Sequence, residues 1–329
     1  MKPTFFNWTH LIACLLVAVT AVLLSFGALV TTYEAAMAVP DWPATYGHNM
    51  FLFPLAEWLH GPWDLFLEHG HRLLGALAGI ITLLLAGVAW RSATRPAVRW
   101  LAVAAVALVV VQGVLGGARV LLDDKTVAKV HACTGPLFFA VAVAVAALSR
   151  RTSPDHGPAT RVPVALLVAS YLQLVAGAQL RHLDATVEPS TFQLLVGLHI
   201  VGAVAVTVLA AVAAATVGAG GSTSASRSTS AGRWAKGIVI VVGLQLLLGV
   251  AAWVANWGMP SGLLPESWQL TEPLRARSGW NAVVVTGHVV LGMMILGASV
   301  VLTIEVGALG RSVTRRDAAD AAAAGRAFA

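Results

Sequence analysis

The sequence predicts an all-α polytopic membrane protein, with eight transmembrane helices arranged as two pseudo-symmetric four-helix bundles. Three observations carry this expectation. Only 11% of the 329 residues are charged and 58% are hydrophobic, against about 25% charged in an ordinary soluble domain. The apolar residues form continuous Ala/Leu/Val-rich runs without strand-like alternation, which sets aside a soluble fold, a disordered chain, a coiled coil and an outer-membrane barrel. Polar signatures also recur at matching places in successive runs.

A bilayer core of about 30 Å needs about 20 helical residues. Runs of that length lie at about 10–31, 69–90, 98–118, 129–148, 162–181, 191–217, 234–256 and 280–306. The first, from Leu11 to Val30, is too long for the apolar core of a signal peptide and reads as a membrane anchor. A long loop with Pro40, Pro43 and Pro54 separates it from the second. Pro154 and Pro158 punctuate the loop after the fourth. Gly218–Gly232 is rich in Gly, Ser and Thr and reads as a linker. The expected division is an N-terminal half over 1–152, a C-terminal half over 160–311 and a tail over 312–329.

Lys and Arg set the orientation, because they favour cytoplasmic loops. With the N-terminus inside, fourteen of the 21 basic residues and four of the 15 acids fall on the cytoplasmic side. The inner side then carries +10 and the outer side −4, with both termini cytoplasmic and the first and seventh loops outside. A pI near 9.9 invites a nucleic-acid reading, but the basic residues are spread over short loops, so no nucleic-acid partner is expected. Cys14 and Cys133 both sit in apolar runs and offer neither a disulfide framework nor a thiol cluster.

Four of the ten histidines share one context. His71, His131, His199 and His288 lie near the outer ends of spans two, four, six and eight, each followed within five residues by a glycine. The odd spans repeat a second pattern: Gln112-x-x-x-Gly116, Gln173-x-x-x-Gly177 and Gln245-x-x-x-Gly249. Span one lacks the Gln and is the divergent copy. A Gln helix followed by a His helix therefore recurs, which suggests parallel repeats about an axis along the membrane normal. A single intramembrane His can simply donate to a facing carbonyl. Four in equivalent places point to function. Two imidazoles on facing helices can ligate one haem iron on its two faces, so four make two pairs. Zinc competes less well, because the spans offer no third or fourth ligand one turn away.

Glu68-His69-Gly70-His71-Arg72 is the most chemical segment. Glu68 stands three residues before His71, on the same helix face. It either serves the ligand or proton handling, or simply favours a helix N-terminus. Arg72, Arg119 and Arg181 at the outer boundary either pair with haem propionates or snorkel to the interface. The glutamines are expected to bond across helices. His10, His156 and His182 read as boundary or loop residues, and His48 and His60 lie in the first outer loop.

Together these features resemble the haem A synthase family: eight spans in two halves, histidines in the even spans, the Gln-x-x-x-Gly helices, Pro40-Asp41-Trp42-Pro43 after span one, and Glu68-x-x-His71. The resemblance covers nearly the whole chain. It implies an inner-membrane enzyme that oxidises the C8 methyl of haem O to a formyl group, giving haem A for cytochrome oxidase. It implies that His199 and His288 hold a resident haem b, that His71 and His131 frame the substrate haem, and that Glu68 matches the carboxylate needed for activity. Haem O, the haem O synthase that makes it, an electron acceptor and the bilayer are the implied partners, with a homo-oligomer left open. Many members carry a cysteine pair in the first outer loop. The loop Thr31–Leu67 has none, which excludes a thiol relay there. The competing reading is a di-haem b-type electron-transfer cytochrome, quinone-linked or b561-like. It explains the four histidines but neither Glu68 nor the two halves.

Overall fold

The computed structural model describes residues 7–92, 94–150, 161–183, 186–218, 230–258 and 279–307. In chain order its helices are α1 (Trp8–Thr32), α2 (Leu55–His60), α3 (Trp63–Arg91), α4 (Pro96–Leu122), α5 (Lys125–Ser149), α6 (Val162–Arg181), α7 (Pro189–Gly218), α8 (Ser230–Trp257) and α9 (Gly279–Glu305). All but the short α2 are long and apolar enough to cross a membrane, eight in number among the described residues.

The helix ends follow local chemistry. The Asn7 side chain caps α1 by accepting from the His10 amide, and Asp124 caps α5 by accepting from the Val127 amide at 2.8 Å; both satisfy donors that a helix start leaves orphaned. Pro96 opens α4 where no intrahelical N–H is needed. Asp123 takes a left-handed conformation, φ 46°, and lets α4 and α5 reverse over two residues. The largest departure from the expected spans is at the second. It begins at Trp63, six residues before the apolar run, because Pro62 and the first-turn acid Asp64 start the helix in the loop. Glu68, His69 and His71 thus lie inside α3 and not at its threshold. α8 starts at Ser230, so the end of the expected linker is helical; residues 219–229, the tail from 308 on and His156 lie outside the described residues.

The first four spans form a closed ring, with α1 against α3 and α5, α3 against α4, and α4 against α5. The last four do the same, α6 meeting α7 and α9, and α8 lying between α7 and α9. α5, α1 and α9 make most of the seam between the rings, with α6 against α5. Each ring has its own buried apolar cluster. One includes Leu16, Ile81, Leu85, Val98, Phe138 and Val145; the other includes Leu166, Val206, Ile238, Val242, Ile295 and Leu302. Both clusters draw on the starts of odd-numbered spans and the ends of even-numbered ones. They therefore fill the level of the membrane remote from the first loop. Phe139, Val143, Val300 and Ile304 close the seam. Gly297 permits this close approach, since a Cβ there would sit 3.1 Å from the Phe139 ring. The four histidines all lie toward the opposite level, beside the loops.

Candidate functional site

The histidines meet in two pairs. His71 on α3 faces His131 on α5 with ring centres 6.4 Å apart. His199 on α7 faces His288 on α9 at 6.3 Å. An imidazole nitrogen binds a first-row metal at about 2.0 Å and its ring centre lies about 1.2 Å farther, so two rings sharing one metal along a line have centres about 6.4 Å apart. Both pairs stand at that separation. Among the described residues no three His, Cys, Asp or Glu side chains converge, so each pair offers two imidazoles, a number compatible with a macrocycle completing the shell of an iron.

The helix opposite each histidine carries a glycine against its ring. A Cβ at Gly27 would meet the His71 ring at 3.0 Å, at Gly116 the His131 ring at 3.4 Å, at Gly177 the His199 ring at 3.2 Å and at Gly249 the His288 ring at 3.1 Å. The contact is reciprocal in three hairpins: the glycine after each histidine, Gly135, Gly202 and Gly292, lies against Gln112, Gln173 and Gln245 respectively. Gln112 Nε2 donates to the His131 carbonyl at 3.3 Å and to Thr134 Oγ1 at 2.7 Å. Gln173 Nε2 donates to the His199 carbonyl at 2.8 Å and lies 3.2 Å from its Nδ1, and Gln245 Nε2 lies 3.4 Å from His288 Nε2. The glutamines thus bond across helices as their spacing suggests.

The first hairpin differs. Leu23 stands where the others have Gln, and its carbonyl lies 3.2 Å from His71 Nδ1. With the proton on Nδ1, Nε2 keeps its lone pair for a metal. Gly75, one turn beyond His71, has nothing within 4 Å of an added Cβ. Replacing Gln by Leu leaves space beside His71 that the other three hairpins fill. Sequence reading missed Gly27, although its place four residues after Leu23 repeats the spacing of the other glycines.

The first loop folds back over the His71/His131 ring of helices. Glu68 is 4% exposed. Its Oε2 accepts from the Val39 amide at 2.9 Å and its Oε1 from Arg72 at 2.7 Å. Arg72 also donates to the carbonyls of Val39, Asp41 and Ala44 at 2.6 to 2.9 Å, so four of its five N–H donors are engaged. Arg72, read from the sequence as either a propionate partner or an interfacial cation, is bonded instead to the loop and Glu68. Glu68 shares the expected face with His71, but its oxygens bond the loop and Arg72, not the imidazole. His69 is buried between Phe53 and Trp58, with Thr45 Oγ1 3.0 Å from its Nδ1. Asp41 accepts from the Tyr46 and Gly47 amides at 2.9 and 2.8 Å. Slight burial opposes its charge, but these donors and the nearby Arg72 outweigh it and hold the carboxyl below its ordinary range. Trp42 lies flat on Gly117, where a Cβ would meet its ring at 2.5 Å. Gly117 adjoins Gly116, which carries the His131 ring. His48 packs its ring on Phe53, and His60 ends α2.

Two further cations stand at the loop end of the helices. Arg181 reaches from α6 to α1, where its Nη2 donates to the Ala28 carbonyl at 2.9 Å and to Thr32 Oγ1 at 3.0 Å. Among the described residues its Nη1 and the Nε of Arg119 are buried without a hydrogen-bond partner. His182, just past α6, is pushed down to about 4 by burial and by the charges of Arg181, Arg119 and Lys129. It is neutral at pH 7.

The residues fit a haem on four grounds: the pair separations, the glycines that clear each imidazole, the space at Gly75, and buried unpartnered cationic nitrogens. Comparison with known proteins agrees. The family model described as cytochrome oxidase assembly protein, COX15-CtaA, matches residues 9–197. A heme A synthase of Shouchella clausii is 30% identical over 185 residues, covering 52% of this chain and 58% of that protein. Heme A synthases of Halalkalibacterium halodurans and Alkalihalophilus pseudofirmus are 26% and 28% identical, over 60% and 63% of their lengths. These matches span less than two thirds of each relative. The family match stops two residues short of His199, so the second pair stands on its own geometry.

Proposed function

Because the chain belongs to the COX15-CtaA family of cytochrome oxidase assembly proteins, we propose that it is a haem A synthase, an oxidoreductase of haem biosynthesis acting on the C8 methyl of haem O. The observation that carries its haem chemistry is the pair of histidine pairs, 6.4 and 6.3 Å between ring centres; the buried Glu68, bonded to the first loop and to Arg72, favours the synthase over an electron-transfer cytochrome. In balance, the methyl group and one water give a formyl group, four protons and four electrons. A bound haem supplies one-electron redox chemistry at its iron.

In this reading His71 and His131 hold the substrate haem and His199 and His288 hold a haem b. Support for that assignment comes from the first hairpin, where Leu23 replaces Gln and Gly75 opens onto space. The Leu23 carbonyl orients His71 through Nδ1 and would leave Nε2 as the nitrogen that takes an iron. Glu68 acts as a positioning carboxylate. With Arg72 it holds the Val39–Ala44 backbone over the substrate side, and Trp42 seals that backbone on α4. A closed loop limits exchange of the site with bulk water, apart from the one water the reaction consumes, and strengthens electrostatic interactions beneath it. A haem held by His199 and His288 would offer an exit for those electrons, which an acceptor outside the chain must finally take.

We place the protein in the inner membrane with both termini cytoplasmic, on the charge asymmetry of its loops. The halves 1–152 and 160–311 are assigned as repeats about an axis along the membrane normal, supported by the recurring glycine–histidine contacts. The test is co-expression with a haem O synthase, followed by pigment extraction. Haem A is the expected product. Haem b as the sole pigment would replace this reading with an electron-transfer cytochrome.

A further inference from the structure

Arg181 ends α6 at the loop level of the membrane. An arginine at this depth is costly unless its charge and donors are met. Nη2 is met entirely by the other half of the molecule, through the Ala28 carbonyl and Thr32 Oγ1 on α1. Thr32 itself donates to the Ala28 carbonyl at 2.9 Å, so its oxygen is held with a lone pair toward the guanidinium. Nη1 is buried and, among the described residues, has no partner. Among the described residues, the titratable groups that feel this charge are His182 and His288, neither of which is an anion. Along α6, Arg181 stands one turn beyond Gly177, the glycine on which the His199 ring rests.

We infer that Arg181 is a carboxylate-binding residue of the C-terminal pocket: its Nη1 takes a carboxylate of the macrocycle held by His199 and His288, while Thr32, on α1 of the other half, positions it. This rests on the haem reading of those two histidines. It adds that the C-terminal pocket is not self-contained. One of its anion contacts is set by a helix whose Gly27 carries His71, so the two pockets share a wall. A guanidinium suits the role because its planar donors can be divided between two acceptors without losing charge. Thr32 is a positioning residue, acting through Arg181.

The experiment uses the full-length His71→Ala/His131→Ala protein, in which only the C-terminal pair remains to take haem. Protohaem IX and its dimethyl ester, which lacks carboxylates, are titrated separately and followed by the low-spin Soret band. The readout is the ratio of the two affinities, which cancels any loss of folded pocket. Arg181→Gln is expected to lower the ratio about tenfold, equivalent to about 1.4 kcal/mol. Thr32→Val lowers it in the same direction by less, and Arg181→Lys retains part of it. An unchanged ratio in Arg181→Gln overturns the inference. A fall seen only in the His199→Ala/His288→Ala protein also overturns it, by moving the carboxylate to the other pocket. If neither ligand gives a low-spin band in a protein that keeps His199 and His288, the haem reading falls first, and this inference with it.

Discussion

Replacing Arg72 by Met removes the cation from a pair whose side chains are 8% and 5% exposed and whose atoms lie 2.7 Å apart. Breaking a buried pair from one side costs about 3–5 kcal/mol, because the other charge is left uncompensated. Three loop carbonyls lose their donor in the same step. The molecule avoids much of this cost by lifting the loop, which lets Glu68 and the carbonyls reach water. The expected result is therefore local opening. At about 1.4 kcal/mol per factor of ten, hydrogen-exchange protection over residues 38–47 should fall by about a hundredfold or more, with the membrane helices unaffected. Removing both charges in Glu68→Leu/Arg72→Met should be milder than Arg72→Met alone, since no buried charge is left unpaired. Unchanged protection over 38–47 in Arg72→Met would refute the clamp. So would a double variant opened more than the single.

Gly117→Ala should displace the Trp42 ring and raise exchange in the same loop by roughly the amount that Trp42→Ala does, and the combined variant should add little; full additivity would show that the two do not act through one contact. Gly249→Val should push the His288 ring from its place, given 3.1 Å from a Cβ to that ring, and abolish a low-spin haem signal from the C-terminal pair while sparing the other; a retained signal would contradict the ring's position. His182 is held neutral, so its value in the folded chain, about 4, lies below the ordinary 6.5. The unfolded chain binds more protons between these values, and stability falls as pH drops through that window. His182→Gln should flatten the fall in Tm between pH 6.5 and 4, and an unaltered slope would count against the burial of His182.

Much of the fold was legible because a bilayer dictates it. Apolar run length located all eight spans, and the histidines that interrupt four of them stood out as candidate site residues. The start of the second span differs for a physical reason: α3 begins in a polar segment, Trp63 to Arg72, whose Glu68–Arg72 pair is buried by a folded loop and not by lipid. Hydropathy cannot see that kind of burial. The role of Arg72 was hidden for the same reason, since its partners Val39, Asp41 and Ala44 contribute backbone carbonyls, which carry no side-chain signature. The pairing of His71 with His131 and of His199 with His288 was readable from their equivalent places. The tie between Arg181 and α1 was not, because it crosses 149 residues of sequence to Thr32.

The central claim is that each histidine pair holds one haem iron on its two faces. The direct measurement is haem ligation, by absorption and electron paramagnetic resonance, in the His71→Ala/His131→Ala and the His199→Ala/His288→Ala proteins loaded with protohaem. One bis-histidine low-spin centre is expected in each double variant and none when all four histidines are replaced. A low-spin bis-histidine centre that survives the fourfold replacement, or its loss from both double variants together, would contradict it.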